Sequence, residues 1–356
     1  MANFDDLQGA VAQFGAGNKV IFDDIGMPSI MYGVPKMKYS DLITGGTDET
    51  LPFWIVDGEE KNTIWVSKFL NIVENDRAYS LGMKLPRNFI DFEQALAACR
   101  KKGNGWHLNQ TGVFTCINLL AQKLGTVPHG NDNLGKCCKY PYEHGILPQG
   151  GEGRTLTGSG EPTWYHNHSA SGISDINGNL WEWTSGTRLM DGEIQIIPYG
   201  NAMKLACDMS AESTLWKAVM QDGTLAEPGT TGTLKIDKIN EISENGKFHK
   251  GRLSTTITEQ TKDGTGEGED ICELVKNPLA ADGINIPKLL IAIGIYPEES
   301  ATYYSLDDMY VRNHAERIPI CGGDFNMERG PSSIHFKHHR DYSVRHLAFR
   351  SAFCEL

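Results

Sequence analysis

The chain has 356 residues, enough to bury a sizeable core in one large domain or two ordinary ones. Its net charge of −12 argues against nucleic acid as the main partner, because phosphate binding requires a basic face. The first residues lack the basic and apolar regions of a secretory signal, and no apolar run is long enough to span a bilayer. We therefore expect a protein made in a cytoplasm without membrane insertion, one that could still act within a larger particle.

The first part of the chain predicts short strands followed by two helices. Residues 1–45 contain β-like runs broken by Gly and Pro, and we expect a small N-terminal cap or assembly element there. Residues 53–56 and 63–66 are rich in β-branched and aromatic side chains, which predicts two strands joined by a polar turn. Apolar residues at helical spacing predict helices over 91–101, after an Asp91 N-cap, and over 110–124.

Two longer stretches have little regular pattern. Residues 127–162 are rich in Gly, Pro and Asn and predict mostly loop. Residues 220–270 are polar and hold too few apolar side chains for a core of their own. We therefore expect a polar insertion over about 205–310 within a single domain spanning 46–356.

The cysteines favour reduced, buried thiols. None of the eight forms a Cys-x-x-Cys pair, and the adjacent Cys137 and Cys138 have poor geometry for zinc. Cys321 and Cys354 flank the C-terminal segment, and the sequence leaves open whether they close it.

A turn followed by an aromatic strand is the clearest local signature in the middle of the chain. Residues 175–179 read Asp-Ile-Asn-Gly-Asn, in which Asn and Gly accept positive φ, so a tight turn is predicted. Residues 180–183 read Leu-Trp-Glu-Trp and predict a strand with both indoles on one side and Glu182 opposite. We expect Trp181 and Trp183 to pack in the core.

Residues 322–352 follow no regular pattern of their own. They show neither the alternation of a half-buried strand nor the stripe of an amphipathic helix. From Asp324 to Arg350 there are five Lys/Arg against three Asp/Glu, a balance near +2, which leaves about −14 for the remainder of a chain of charge −12. A mildly basic patch on an acidic body is typical of a recognition surface. A conventional frame runs through the segment: Gly322, Gly323, Ile334, Phe336, Ser343, Leu347, Phe349, Arg350, Ser351 and Ala352.

Four separated motifs resemble the formylglycine-generating-enzyme-like branch of the C-type lectin fold. They are the helical stretch 92–124, the Leu-Trp-Glu-Trp strand, the run 316–325 and the closing Ala-Phe-Arg at 348–350, in the order of that branch. Residues 322–352 also resemble the C-terminal variable region of proteins diversified by retroelements. The resemblance implies an α+β chain with a C-type lectin fold, a short N-terminal element and a polar insertion.

The resemblance implies a ligand- or receptor-binding protein and no enzyme. A rigid scaffold would present varied side chains to a variable protein or a cell-surface ligand, as in a phage tail adhesin carried on a virion or in an oligomer. Frame residues such as Phe336 would point inward and varied residues outward. Aromatic and arginine side chains supply most hot-spot energy, which nominates Phe325, Tyr342, Arg329, Arg340 and Arg345. The implied ligand-binding positions are Asp324, Phe325, Met327, Arg329, His335, Lys337, His339, Arg340, Asp341, Tyr342, Val344, Arg345 and His346.

Two alternatives stay open, a formylglycine-generating-enzyme-like oxidoreductase and a non-varying structural subunit of the same fold. Neither Cys321 nor Cys354 lies at a recognisable equivalent of the oxidase's cysteine pair. The histidines near residue 338 lack an accompanying carboxylate pattern, so we expect no metal catalysis. We expect no cofactor, the alternative being a structural calcium that some relatives hold at the turn, through Asn179 and Glu182 here.

Overall fold

The computed structural model describes residues 4–243, 246–263, 266–275, 279–304 and 306–356, and this part of the chain is mostly β. Helices are a minority of the structure, so the α+β expectation holds only in this weak sense. No helix in the described ranges is long and apolar enough to cross a membrane. The helices are α1 (Asp5–Ala12), α2 (Tyr39–Leu42), α3 (Phe92–Arg100), α4 (Thr111–Lys123) and α5 (Lys288–Ala292).

Short strands supply most of the regular structure. They are β1 (Asn18–Phe22), β2 (Pro28–Pro35), β3 (Ile55–Val56), β4 (Glu59–Glu60), β5 (Thr63–Ser67), β6 (Asn71–Glu74), β7 (Arg77–Ser80), β8 (Trp106–Leu108), β9 (Trp181–Trp183), β10 (Thr187–Met190), β11 (Glu193–Ile196), β12 (Lys217–Val219), β13 (Leu225–Ala226), β14 (Lys235–Ile242), β15 (His249–Ser254), β16 (Ile271–Leu274), β17 (Asp308–Val311), β18 (Glu316–Cys321), β19 (Ile334–His338), β20 (Leu347–Phe349) and β21 (Ser351–Phe353).

The smaller sheet joins the two ends of the chain. Its strand order is β1-β2-β5-β21-β8, with Met31 opposite Ser67 and Ala352 opposite Val66. The segment 1–45 therefore contributes two strands to the same sheet that holds the last strand of the chain.

The larger sheet contains the expected insertion. Its order is β13-β12-β11-β14-β15-β16-β17-β19-β18-β9-β20, and β10 pairs with both β11 and β18. Eight strands, namely β10, β11, β14 to β19, therefore close into a ring. Strands β12 to β16 come from residues 205–310, and Leu234, Ile236 and Leu253 of that stretch are buried. Residues 244, 245, 264, 265, 276–278 and 305 of the insertion lie outside the described residues.

Local sequence signals predicted the bounds of helices α3 and α4 more accurately than those of the strand over residues 53–56. Helices α3 and α4 begin and end within one residue of their predicted bounds, and the Asp91 carboxylate accepts the Gln94 N–H at 2.8 Å, as an N-cap does. The strand predicted over 53–56 is wrong in its first half. Pro52 begins a 3₁₀ turn over Pro52–Trp54, because its fixed φ suits the first position of a helical turn, and only residues 55–56 are extended.

The aromatic strand β9 is held in the core by its neighbours. Trp181 and Trp183 are buried, and the Trp183 indole donates to the Ile90 carbonyl at 3.0 Å. Gly178 and Asn179 of the preceding turn have φ of 70° and 62°, as the sequence predicted.

An ion pair links the two most specific motifs. The Arg350 guanidinium donates to both carboxylate oxygens of Glu182, at 2.8 and 3.0 Å, with both side chains buried. Strand β20 runs parallel to β9, with Phe349 opposite Trp183. Arg350 also donates to the carbonyls of Ser67 and Ser174 at 2.9 Å. Residues 348–350 thus hold the C-terminal segment against β9, the strand that follows the turn at 175–179.

Candidate ligand-binding cleft

The C-terminal segment contributes β19 to the large sheet and has one loop on either side of that strand. The first, residues 322–333, leaves β18 and returns as β19, and the second, residues 339–346, joins β19 to β20. At the start of the first loop Gly322 has a φ of +87°, and a side chain there would meet the Ile176 carbonyl oxygen at 3.0 Å. Glycine is therefore required where the segment turns out of the sheet.

Frame residues anchor these loops in the core. Phe336, Leu347 and Phe349 are fully buried, as expected. Ser343 is the exception, since it is exposed on the second loop.

A cleft of about 600 Å³ opens between the two loops and the insertion. Nine of the thirteen predicted positions line it: Asp324, Phe325, Met327, Arg329, His335, Lys337, Tyr342, Arg345 and His346. Asn326 and His338 of the same segment also line it. The structure therefore brings most of the proposed variable positions to a single concave surface.

Three of these positions are buried, which corrects the expectation that varied residues point outward. Asp324, Phe325 and His335 expose 4%, 1% and 8% of their surface. The Asp324 carboxylate accepts the Trp181 indole N–H at 3.1 Å and the Asn326 amide at 2.8 Å. Phe325 packs with Leu180 and Ala348 in a small apolar cluster. These three form the floor of the cleft and cannot vary without affecting the core.

His335 belongs to a buried polar cluster. Its Nε2 lies 2.8 Å from Asp308 Oδ1, and its ring centroid lies 4.3 Å from that of Trp181. Arg329 Nε lies 3.1 Å from the same carboxylate oxygen, as an ion pair without hydrogen-bond alignment. Burial raises the pKa of Asp308, but His335 and Arg329 outweigh it and hold that pKa below its ordinary value.

The rim of the cleft, which includes Met327 and Arg345, carries more accessible side chains. Met327 and Arg345 are exposed, and the Arg345 guanidinium lies 5.7 Å from the Phe325 ring centroid. Tyr342 stacks on His338 with centroids 3.6 Å apart and ring planes 10° apart. Burial lowers the pKa of His338 and that of His346.

Four predicted positions lie outside the cleft: His339, Arg340, Asp341 and Val344. His339 contacts Asp263 at 3.3 Å, and Val344 packs against the cluster around Trp181. Arg340 donates to Glu316 at 2.7 Å and pairs with Glu93. Its guanidinium therefore ties the second loop to β18 and α3, and its nomination as a binding hot spot is not supported by this position.

The opposite wall comes from the insertion, which sequence reasoning missed. Phe248 and Tyr310 meet edge-on with centroids 5.2 Å apart, and Lys337 Nζ lies 4.6 Å from the centre of the Tyr310 ring. Lys247, Cys272, Leu274 and Leu306 also line this side. No local pattern marks these residues, because they reach the variable segment through the successive pairing of β15 with β16, β16 with β17, and β17 with β19.

The cleft is more basic than the protein as a whole. Its lining includes four Lys/Arg, namely Lys247, Arg329, Lys337 and Arg345, against two carboxylates, Asp308 and Asp324. Both carboxylates already accept contacts from cleft residues.

The residues considered for calcium have protein partners. Asn179 Oδ1 accepts the Thr155 amide at 3.0 Å, and Glu182 is paired with Arg350. Their side chains therefore engage different partners instead of converging on one point.

All eight cysteines are free, and all but Cys138 are buried, as expected. Burial raises the pKa of Cys321 to about 12 and that of Cys354 to about 11, so neither is a thiolate near neutral pH. Burial, followed by the neighbouring Asp308 carboxylate, raises the pKa of Cys272 in the cleft wall.

Comparisons with known proteins give distant likenesses only. No family model and no curated protein matches the chain. Among solved structures it is similar to the Major Tropism Determinant U1 Variant, at 9% identity and a TM-score of 0.29, over 91% of this chain and 63% of that one. It is also similar to the Major Tropism Determinant P3c Variant, at 10% identity and a TM-score of 0.29, over 95% of this chain and 71% of that one. The chain thus spans less than two thirds of the first structure, and neither structure supports the formylglycine-generating-enzyme-like branch.

Proposed function

We propose that this protein is a ligand-binding protein whose ligand, a protein or a cell-surface molecule, occupies the cleft between residues 324–346 and the insertion. The observation that carries the proposal is the convergence of nine proposed variable positions on one concave surface, while the frame between them is buried except at Ser343. Binding sites perform best when loops are held by a rigid scaffold. We further propose that a retroelement diversifies this segment, as its resemblance to such variable regions implies.

The lining favours a ligand with acidic groups. Cationic side chains outnumber carboxylates in the cleft, and both carboxylates are engaged by neighbouring donors. Aromatic rings of Tyr342, Tyr310 and Phe248 provide flat apolar faces beside these charges. Tyrosine, arginine and other aromatic side chains dominate binding hot spots, so we assign Tyr342 and Arg345 that role.

Catalysis is not part of the proposal. The Cys272 thiol in the cleft wall donates to Asp308 at 3.5 Å, and a raised pKa is the opposite of what an activated nucleophile requires.

Binding of fluorescently labelled protein to a panel of intact bacterial strains tests this function. We expect some strains to bind the parent, less strongly as salt is added, because the proposed contacts are partly ionic. A Tyr342→Ala, Arg345→Ala variant should lose at least about 1 kcal/mol of binding free energy. The matched control changes Tyr199 and Lys217, which lie outside the cleft, to Ala and should bind as the parent does. A Cys321→Ser, Cys354→Ser variant should also bind normally, since no thiol is needed.

Equal binding by the parent and the Tyr342, Arg345 variant would refute the cleft as the binding site. Diversification is tested separately at the DNA level. We expect a near-copy of the segment encoding residues 322–352 beside a reverse transcriptase gene, with differences at adenines of the template. A locus with neither would leave the cleft as a non-varying site and refute the retroelement part of the proposal.

A further inference from the structure

Three metal-ligating side chains meet in the long loop between α4 and β9. One ligand atom each from His129, Cys137 and Glu143 lies within 4.8 Å of the others. His129 Nδ1 is 2.9 Å from Glu143 Oε2, and Cys137 and Glu143 are almost fully buried. None of the three lines the cleft.

The backbone places Cys137 and Glu143 opposite each other. The Cys137 amide donates to the Glu143 carbonyl at 3.2 Å, and Lys136 pairs with His144 in an antiparallel bridge. The Glu143 amide donates to the Tyr140 carbonyl at 2.8 Å and closes the tip. A short hairpin therefore presents the thiol and the carboxylate on one side, and His129 approaches from the preceding chain.

Surrounding groups hold the side chains of Glu143 and His129 in place. The Trp164 indole donates to Glu143 Oε2 at 3.0 Å, and the His129 ring stacks on Tyr140 with centroids 4.3 Å apart. Ligands held in orientation by such partners are a feature of metal centres.

The loop is long and irregular, and scattered hydrogen bonds support it, such as those of Arg154 to the Pro86 carbonyl and of Asn131 to the Gly153 carbonyl. Residues 127–161 contain no helix or strand and are held by isolated bridges and turns. Ordered loops of this length are uncommon in compact domains unless something stabilises them. A metal bound by His129, Cys137 and Glu143 would cross-link residues 129–143, and its binding free energy would offset the entropy lost when this segment is ordered.

We propose that His129, Cys137 and Glu143 form a zinc site that organises this loop. A mixed nitrogen, sulfur and oxygen ligand set suits Zn²⁺ in tetrahedral geometry, and water would take the fourth position. Cys138 is not part of the site, since its sulfur donates to the Asp132 carbonyl at 3.8 Å. The sequence-based objection to zinc concerned the adjacent pair Cys137 and Cys138, whereas the structure pairs Cys137 with residues further away. The Leu134 amide donates to the Phe325 carbonyl at 2.6 Å, so the loop so organised supports the cleft floor.

Metal content and cobalt spectroscopy test the site in the full-length protein. The chain is stripped with a chelator, reloaded with Zn²⁺ or Co²⁺, freed of excess metal by gel filtration, and assayed by mass spectrometry of the metal. We expect one tightly held zinc per chain. The cobalt form should show a thiolate-to-cobalt charge-transfer band together with the visible bands of tetrahedral cobalt. Zinc should also raise the melting temperature of the stripped protein.

The variants decide between a metal site and a hydrogen-bonded cluster. Cys137→Ser should remove the charge-transfer band and the rise in melting temperature, and Cys138→Ser, the matched neighbour, should retain both. If Cys137→Ser does not fold, Glu143→Gln is tested in its place. This variant should keep the thiolate-to-cobalt charge-transfer band but retain zinc less tightly. No stoichiometric zinc in the parent, or a band that survives Cys137→Ser, would mean that the three side chains are only a hydrogen-bonded cluster.

Discussion

At the scale of single residues, the C-terminal segment combines side chains that can vary with side chains that cannot. Met327 and Arg345 are exposed at the rim of the cleft, whereas Asp324 lies in its floor as the acceptor for the Trp181 indole. The sequence does not separate these classes, because all three positions lie between residues of the conventional frame and follow no pattern of their own. Only the depth of each side chain relative to β9 distinguishes them.

This distinction predicts different stabilities for two variants. Asp324→Ala leaves the buried Trp181 N–H without its acceptor, which should cost about 1–3 kcal/mol of unfolding free energy. Met327→Ala combined with Arg345→Ala should stay within about 0.5 kcal/mol per site, as exposed substitutions do. Urea unfolding measures both. Equal stability of the two variants would place Asp324 at the surface and contradict the structure.

Asp307, beside the cleft's first loop, predicts a pH-dependent stability. Its carboxylate is fully buried, accepts the Tyr304 amide at 2.8 Å, and leaves Oδ1 without a hydrogen-bond partner among the described residues. Burial raises the pKa of Asp307 to about 7. A raised folded pKa means that the folded protein holds a proton which the unfolded chain has released, so this group's contribution to stability falls as pH rises from about 4 to about 7.

Asp307→Asn removes this titration without changing the side chain's shape. The unfolding free energy of the variant minus that of the parent should therefore increase between about pH 4 and pH 7 and level off above. Each unit of pKa shift corresponds to about 1.4 kcal/mol, so the total change should be several kcal/mol. Chemical unfolding across this pH range gives the difference directly, with the exposed Asp282→Asn as a charge-removal control. A difference that stays constant with pH would show that Asp307 is not buried as a carboxyl group.

At the scale of elements, the C-terminal strands depend on one ion pair. Glu182 of β9 and Arg350 beyond β20 are both buried and bonded through two contacts. Removing one member of a buried pair leaves the other charge uncompensated, which typically costs about 3–5 kcal/mol.

Glu182→Gln should therefore lower stability severely, although it preserves the side chain's size. The control is Glu60→Gln, which breaks the exposed pair between Lys36 and Glu60 and should melt with the parent. Thermal melts followed by far-UV circular dichroism compare the two. Similar melting temperatures would show that Arg350 finds other compensation among the carbonyls of Ser67 and Ser174.

Elements with a strong local signal could be predicted from the sequence, and those defined by pairing could not. The helix over 92–100 has an N-cap and a clear apolar face, and β9 has a preceding turn that requires Gly178. Strands β14 to β16 are polar on their exposed side, so the sequence predicted an insertion there. In the structure these strands are part of the larger sheet. The same holds for the cleft. The sequence pattern of residues 324–346 predicted its variable side, whereas the wall around Tyr310 depends on strand pairing and was not predicted.

At the scale of the whole molecule, both sheets join segments from distant parts of the sequence. Strand β5 lies between β2 and β21, so residues 28–35 and 351–353 flank the same central strand. The buried Ile64 and Val66 of β5 lie opposite Val34 and Tyr32 of β2, which pack in the same cluster. The segment 1–45 is therefore positioned to stabilise the C-terminal strand, whatever role it has in assembly.

Two N-terminal truncations test this dependence. Deleting residues 1–35 removes β1 and β2 and exposes an apolar edge strand, which invites aggregation. Each fully buried aliphatic side chain lost contributes about 1.5–3 kcal/mol, so removing Ile30, Met31 and Val34 should abolish cooperative unfolding or make the protein insoluble. Deleting only residues 1–16 removes α1 and its small cluster with Val20 and Phe69, and this control should still unfold in one transition. If the longer deletion melts like the shorter one, the N-terminal strands form a separable element and the sheet of β5, β21 and β8 is stable without them.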